Sequence, residues 1–185
     1  MSSRLFVLAF LVLVGGCATD MGRANSGADL PSERHSYIVF GVEPEFTQVS
    51  MFAGKIKNGS FRQGWAPAVF AGQPEDGFFV TRARADKVLG VTYVVMFNKK
   101  FNVFNGLWVP CGDTKTPVIR VPAGKVIYVG SVEFEHVANG VLPTYNTDFE
   151  AAKAFLEKRY PGLAGNMEYA PFDLMPVSNG DGCRR

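Results

Sequence analysis

Two histidines, His35 and His136, and three cysteines, Cys17, Cys111 and Cys183, are the side chains of this sequence best suited to chemistry near neutral pH. Two imidazoles are too few for most metal or acid–base constellations. His35 lies in a small, polar stretch. His136 follows Glu135 in a run of period two, where successive side chains point to opposite faces, so the two do not meet. It reads as a hydrogen-bonded histidine at a strand end rather than a ligand or general base. Glu133 and Glu135 share one face of the same run, as a carboxylate pair or as solvated edge charges. The sequence holds no G-x-S-x-G, H-E-x-x-H, P-loop, C-x-x-C or dinucleotide fingerprint. No catalytic residue, metal or cofactor is therefore expected. Aromatic residues offer a second kind of chemistry. Phe61, Trp65 and Phe70 fall in or beside a Gly- and Pro-rich connection, and Trp108 stands two residues before Pro110. On loops, such rings stack on a sugar or grip a partner; turned inward, they cap a core.

The elements that must position these residues are short strands. Residues 37–40 open the folded part, and 46–56 lead into Asn58-Gly59, the pair that supplies φ > 0 twice in a type I′ hairpin. The return arm is 60–65, followed by a long connection over 66–77. Residues 78–84 make a strand with Arg82 and Arg84 on one face, a solvated face or an anion site. In 88–97, Leu89, Val91, Tyr93, Val95 and Phe97 share a face, and the opposite face is also mostly apolar, as in a central strand. A turn at 98–100 leads into 101–109. The pair 117–121 and 125–136 is joined by Pro122-Ala123-Gly124, and the second strand places Val126, Tyr128, Val132 and Phe134 together. One helix is expected over 147–160, with Thr147 as N-cap, Glu150 at N3 and Pro161-Gly162 as the stop. A last strand covers 167–174, and 177–185 is a polar tail. One helical pattern among many strands predicts an all-β domain, a β-sandwich of immunoglobulin-like general architecture with one C-terminal helix, over 36–176.

The N-terminus gives an address. Arg4 precedes ten apolar residues, 5–14, a run too short to span a bilayer core and of the length of a signal-peptide core. Val14-Gly15-Gly16-Cys17 resembles the lipobox of bacterial lipoprotein precursors. The resemblance implies that residues 1–16 are removed and that Cys17 carries a thioether-linked diacylglycerol and an acylated amine, which together give stable anchoring. Ala18 after that cysteine, where the family's sorting pattern would use Asp for retention, implies the outer membrane of a Gram-negative envelope, with the periplasmic face expected. Residues 17–35 read as a flexible tether with a reach of about 23 Å. A further, ten-residue likeness lies in 121–130, which is similar to a hairpin of uncharacterised bacterial lipoproteins with a β-sandwich domain.

Composition narrows the partners. The formal charge of +2 falls to +1 when Arg4 leaves with the leader. That gives no footprint for nucleic acid, and no basic tract marks a site for anionic lipid headgroups. Once Cys17 is lipidated, Cys111 and Cys183 remain in an oxidising compartment, where they form a disulfide or stay as two thiols. The expected function is a lipid-anchored envelope protein with a structural role or with a protein or glycan partner; the alternative is an envelope-polymer hydrolase whose site is assembled only in the fold.

Overall fold

The computed structural model describes residues 22–100, 103–138 and 140–178. It is mostly β, in two sheets with two helices. The first sheet contains β1 (Gly22–Arg23), β2 (His35–Glu43), β6 (Phe78–Arg84), β10 (Val126–Val137), β11 (Gly140–Asn146) and β12 (Met167–Tyr169). Its order is β1-β6-β2-β10-β11, and β12 takes an earlier stretch of β10. β2 and β10 run parallel. The second sheet contains β3 (Thr47–Lys57), β4 (Ser60–Gln63), β5 (Phe70–Gly72), β7 (Val88–Phe97), β8 (Phe104–Trp108), β9 (Gly112–Arg120) and β13 (Asp173–Val177). Its path β3-β4-β13-β9-β7 closes because β3 also pairs with β7, so five strands form a ring, with β5 and β8 attached outside it.

The ring closes around Phe61. This ring is fully buried against Val118 of β9 and Val177 of β13. Gly54 on β3 and Gly90 on β7 make room for it: a Cβ at either would stand 2.5 Å from a Phe61 ring carbon. A larger core lies between the two sheets, built from Ile38, Phe40, Met51, Phe79, Leu89, Ile119, Val132 and Phe134 among others. On the outer face of the first sheet, α1 (Phe149–Arg159) and α2 (Pro161–Ala164) cover Tyr37, Val39, Val80 and Tyr128 with Phe155, Leu156 and Leu163. Burial of such side chains contributes on the order of 1.5–3 kcal/mol each.

Two β-bulges reverse the faces expected from period two. On β7 the register passes from Tyr93↔Ser50 to Val91↔Met51, leaving Thr92 as the extra residue. Leu89 and Val91 on one side of it and Val94 and Met96 on the other are therefore all buried, while Tyr93 is exposed. On β10 the extra residue falls between Tyr128 and Ser131, where Gly130 holds φ 114°. Val126 and Tyr128 consequently face the helices, and Val132 and Phe134 face the other sheet.

Several boundaries also differ. The stretch expected to be a tether is docked from Gly22 onward. Gly22 pairs with Arg82, Ala24 is buried, and the Tyr160 hydroxyl donates to the Ala24 carbonyl at 3.2 Å. His35 opens β2 rather than lying in a tether. The helix N-cap is Asp148, whose carboxylate accepts from the Ala151 amide at 2.9 Å, and not Thr147, whose hydroxyl meets Tyr169 at 3.1 Å. Pro161 ends α1 and also opens α2, where its missing N–H costs nothing. Val177 is not tail but buried strand.

Candidate functional site

Of the four aromatics that sequence offered for binding, the structure buries three. Phe61 fills the ring. Phe70 stacks on Phe79 with centroids 4.5 Å apart, and Trp108 packs against Phe134 at 5.6 Å. Trp65 remains, 95 % exposed. Its neighbours are the β3–β4 hairpin and the start of β7, which with it line an open groove of about 650 Å³.

The groove is built from the turn outward. Asn58 (φ 52°) and Gly59 (φ 74°) form the left-handed pair that the Asn-Gly sequence demands. The hairpin register places Ile56 opposite Phe61, inward, and therefore Lys55 opposite Arg62, outward. Lys57 follows Lys55 on the same face. Val88 is in register with Gly54, which brings Lys87, one residue earlier, to the strand end beside Lys55. After β4, the Gly64 amide donates to the Ala53 carbonyl at 2.8 Å and carries Trp65 to the groove wall. Gln63, which also lines the groove, is held by the bulge residue: the Thr92 hydroxyl donates to its Oε1 at 2.8 Å.

The electrostatics of this surface are one-sided. Lys55, Lys57, Arg62 and Lys87 are all exposed, no Asp or Glu lines the groove, and among the described residues none of the four forms an ion pair. Like charges directly opposite on antiparallel strands are destabilising. An aromatic face beside such a cluster can stack on a planar or ring-shaped group while the cations hold an anion.

The residues considered for catalysis do not converge. His136 is exposed on β10 opposite Val141, and Glu133 and Glu135 are exposed on the same strand. His35 Nδ1 accepts from Arg82 Nη2 at 3.2 Å, at the other end of the first sheet, while Arg84 stays exposed. A smaller cavity of about 310 Å³ lies between the bulge of β10 and the start of α1. There Ser131 Oγ meets the Tyr128 hydroxyl at 2.8 Å, and that hydroxyl accepts from the Asp148 amide at 2.9 Å. Serine, tyrosine and helix cap thus satisfy one another, and among the described residues no imidazole or carboxylate bonds the serine. Among the described residues no cluster of His, Cys, Asp and Glu is arranged to hold a metal ion, and no helix is long and apolar enough to cross a membrane.

Cys17 and Cys183 lie outside the described residues. Cys111 is half-buried at the start of β9, and the register places the neighbouring Gly112 opposite Val177. The basic surface escaped sequence reading because its cations come from three segments separated by up to about thirty residues. The like-charged register pair Lys55↔Arg62, implied once Asn58-Gly59 is read as a two-residue turn, was the available signal. The chain matches no family model, no curated protein and no solved structure.

Proposed function

We propose that this chain is a lipid-anchored protein of the bacterial cell envelope whose domain binds rather than catalyses, with the Trp65 groove as its contact surface. The observation that carries the binding role is the combination of Trp65, 95 % exposed, with four exposed cations that form no ion pair among the described residues and no carboxylate lining the groove. Evolved surfaces tend to interleave charge of both signs, and a concentrated single sign is the pattern of steering toward an anionic partner. The lipobox supports the address: Cys17 is the lipidated residue, and Ala18 directs the protein to the outer membrane, on its periplasmic face. We read the two facing sheets as a variant of the β-sandwich, immunoglobulin-like only in general architecture; the closed ring and the parallel β2–β10 pair set it apart.

A Cys111–Cys183 disulfide belongs to the same reading. β13 brings Val177 opposite Gly112, so five residues, 178–182, separate Cys183 from a point next to its proposed partner. Closing a loop of about 72 residues would stabilise by roughly 4 kcal/mol in the chain-entropy description. Mass spectrometry of the unreduced protein should find no alkylatable thiol at either position; two thiols would refute the bridge.

The address is tested by Cys17→Ser. The wild type should carry the mass of a diacylglycerol and an acyl chain at its N-terminus and fractionate with the outer membrane. The variant should be released to the periplasm or accumulate as precursor. An unchanged membrane fraction for the variant would overturn the anchoring, and Trp65→Ala that leaves every envelope cross-link unchanged would overturn the contact surface.

A further inference from the structure

The docking of Gly22 changes what a lipid on Cys17 would do to the rest of the domain. Four residues, 18–21, separate Cys17 from β1. Five Cα steps span at most about 17 Å, less than the width of a small domain. The anchored cysteine therefore holds one particular end of the molecule at the bilayer.

The register identifies that end. β1 is antiparallel to β6, with Gly22 opposite Arg82 and Arg23 opposite Thr81, so the N-terminal end of β1 lies toward the Ala83–Arg84 end of β6. There β6 turns through Ala85 and Asp86 into Lys87. The Ala85 amide donates to the Arg34 carbonyl at 2.9 Å, which brings the β2 entry to the same place. Because Val88 pairs with Gly54 on an antiparallel neighbour, the continuation of β3 through Lys55 and Lys57 extends past that same end. The groove and the N-terminal end of β1 thus lie toward the same end of the domain. Six exposed cations gather there: Arg34, Lys55, Lys57, Arg62, Arg84 and Lys87. The exposed carboxylates of the two connecting turns are Glu33 and Asp86, and Lys125 is neutralised by Glu168 at 3.1 Å.

From this juxtaposition we infer that the Trp65 groove is a membrane-contact face, seating the lipid-anchored domain on a bilayer with anionic headgroups. The indole takes the headgroup level, where tryptophan is amphipathically matched, and the cations meet lipid phosphates. The inference rests on the anchoring proposed above. It differs from a flexible-tether arrangement in one way that matters: one face of the domain is committed to the membrane, and the helical face opposite is left to the periplasm.

Trp65 reports on this directly, because Trp108 is buried and supplies a constant background. The lipidated protein is reconstituted into phosphatidylethanolamine vesicles with and without phosphatidylglycerol, some carrying brominated chains, and its N-terminal mass is checked. With phosphatidylglycerol, Trp65 emission should shift to the blue and be quenched by the bromolipid, the signal should weaken with salt, and Trp65→Phe should abolish it. The Cys17→Ser protein should bind the same vesicles weakly, and Lys55→Gln with Lys57→Gln should reduce that binding about tenfold or more. A confirmed lipid with no Trp65 response overturns the membrane face and leaves the anchoring intact. An absent lipid overturns the anchoring, and the Cys17→Ser binding arm then decides the face by itself. Binding of that protein to a soluble anionic glycan, with none to vesicles, would also overturn it.

Discussion

The molecule carries two concentrations of charge, and they are built in opposite ways. Where the β5–β6 connection meets the end of α1, three cations and two carboxylates interlock. Lys158 and Arg159 reach Asp76 Oδ2 at 2.9 and 3.0 Å, Arg159 also reaches Glu75 at 2.9 Å, and Arg23 lies 3.8 Å from Glu75. Every charge has an opposite within reach, and together they tie helix, loop and β1 to one another. At the β3–β4 hairpin the cations face only one another across the register. Exposed pairs of the first kind add little individually but hold a geometry. The second arrangement lowers stability, and the proposed contact with an anionic surface would account for its presence.

The largest expected effect lies beneath the basic face. Phe61→Ala should cost about 3–5 kcal/mol, because it empties the point where all five ring strands meet and the two glycines cannot refill it. Denaturant unfolding measures this. A loss below about 1 kcal/mol would show that the ring does not depend on its central side chain. The hairpin's own surface charges should be far less sensitive, which separates what holds the groove from what the groove holds.

That separation was only partly visible in the sequence. Strand positions followed from period two and from turn residues, and Asn58-Gly59 placed its hairpin correctly. The faces did not follow, because Thr92 and the insertion near Gly130 each shift the parity of a strand without any mark that distinguishes them from ordinary strand residues. Phe61 and Phe70 looked like loop aromatics because what buries them is remote or small: Gly54 and Gly90 leave space for one, and Gly72 for the other, where an added Cβ would stand 3.0 Å from the Phe70 ring. β11, with Pro143 and a half-exposed pattern, gave no strand signal and exists because β10 offers it an edge. The docked segment after Gly22 is held by backbone pairing and by Tyr160, contacts that its small residues do not announce.

The interlocked cluster makes a smaller, pH-dependent prediction. Hydrogen bonds from Lys158 and then Arg159 hold the Asp76 carboxyl below the usual aspartate value. A carboxylate whose folded pKa is depressed contributes stability that is present above the unfolded value, near 3.8, and lost as pH falls through the folded one. Asp76 should therefore titrate by NMR with a midpoint below 3.8, and Asp76→Asn should flatten the acid limb of the stability curve. A midpoint at or above the ordinary value would mean that the cluster is not formed in solution.

The smallest effect on stability is the sharpest on meaning. Lys55 stands opposite Arg62 on adjacent antiparallel strands, with Lys87 at the strand end beside it. Replacing Lys55 by Glu turns a repulsive cross-strand pair into an attractive one, worth about 0.2–1 kcal/mol in favour of the fold. If the cations are ordinary surface charge, that gain is the whole result. If they face an anionic surface, Lys55→Glu also removes two units of positive charge from the contact, so binding to phosphatidylglycerol vesicles should fall while the unfolding midpoint rises. The two measurements on one variant must move in opposite directions. A natural sequence that keeps the less stable residue at an exposed position is then explained by what the position binds, and a variant that is both more stable and fully competent to bind would remove the reason for reading this face as a site at all.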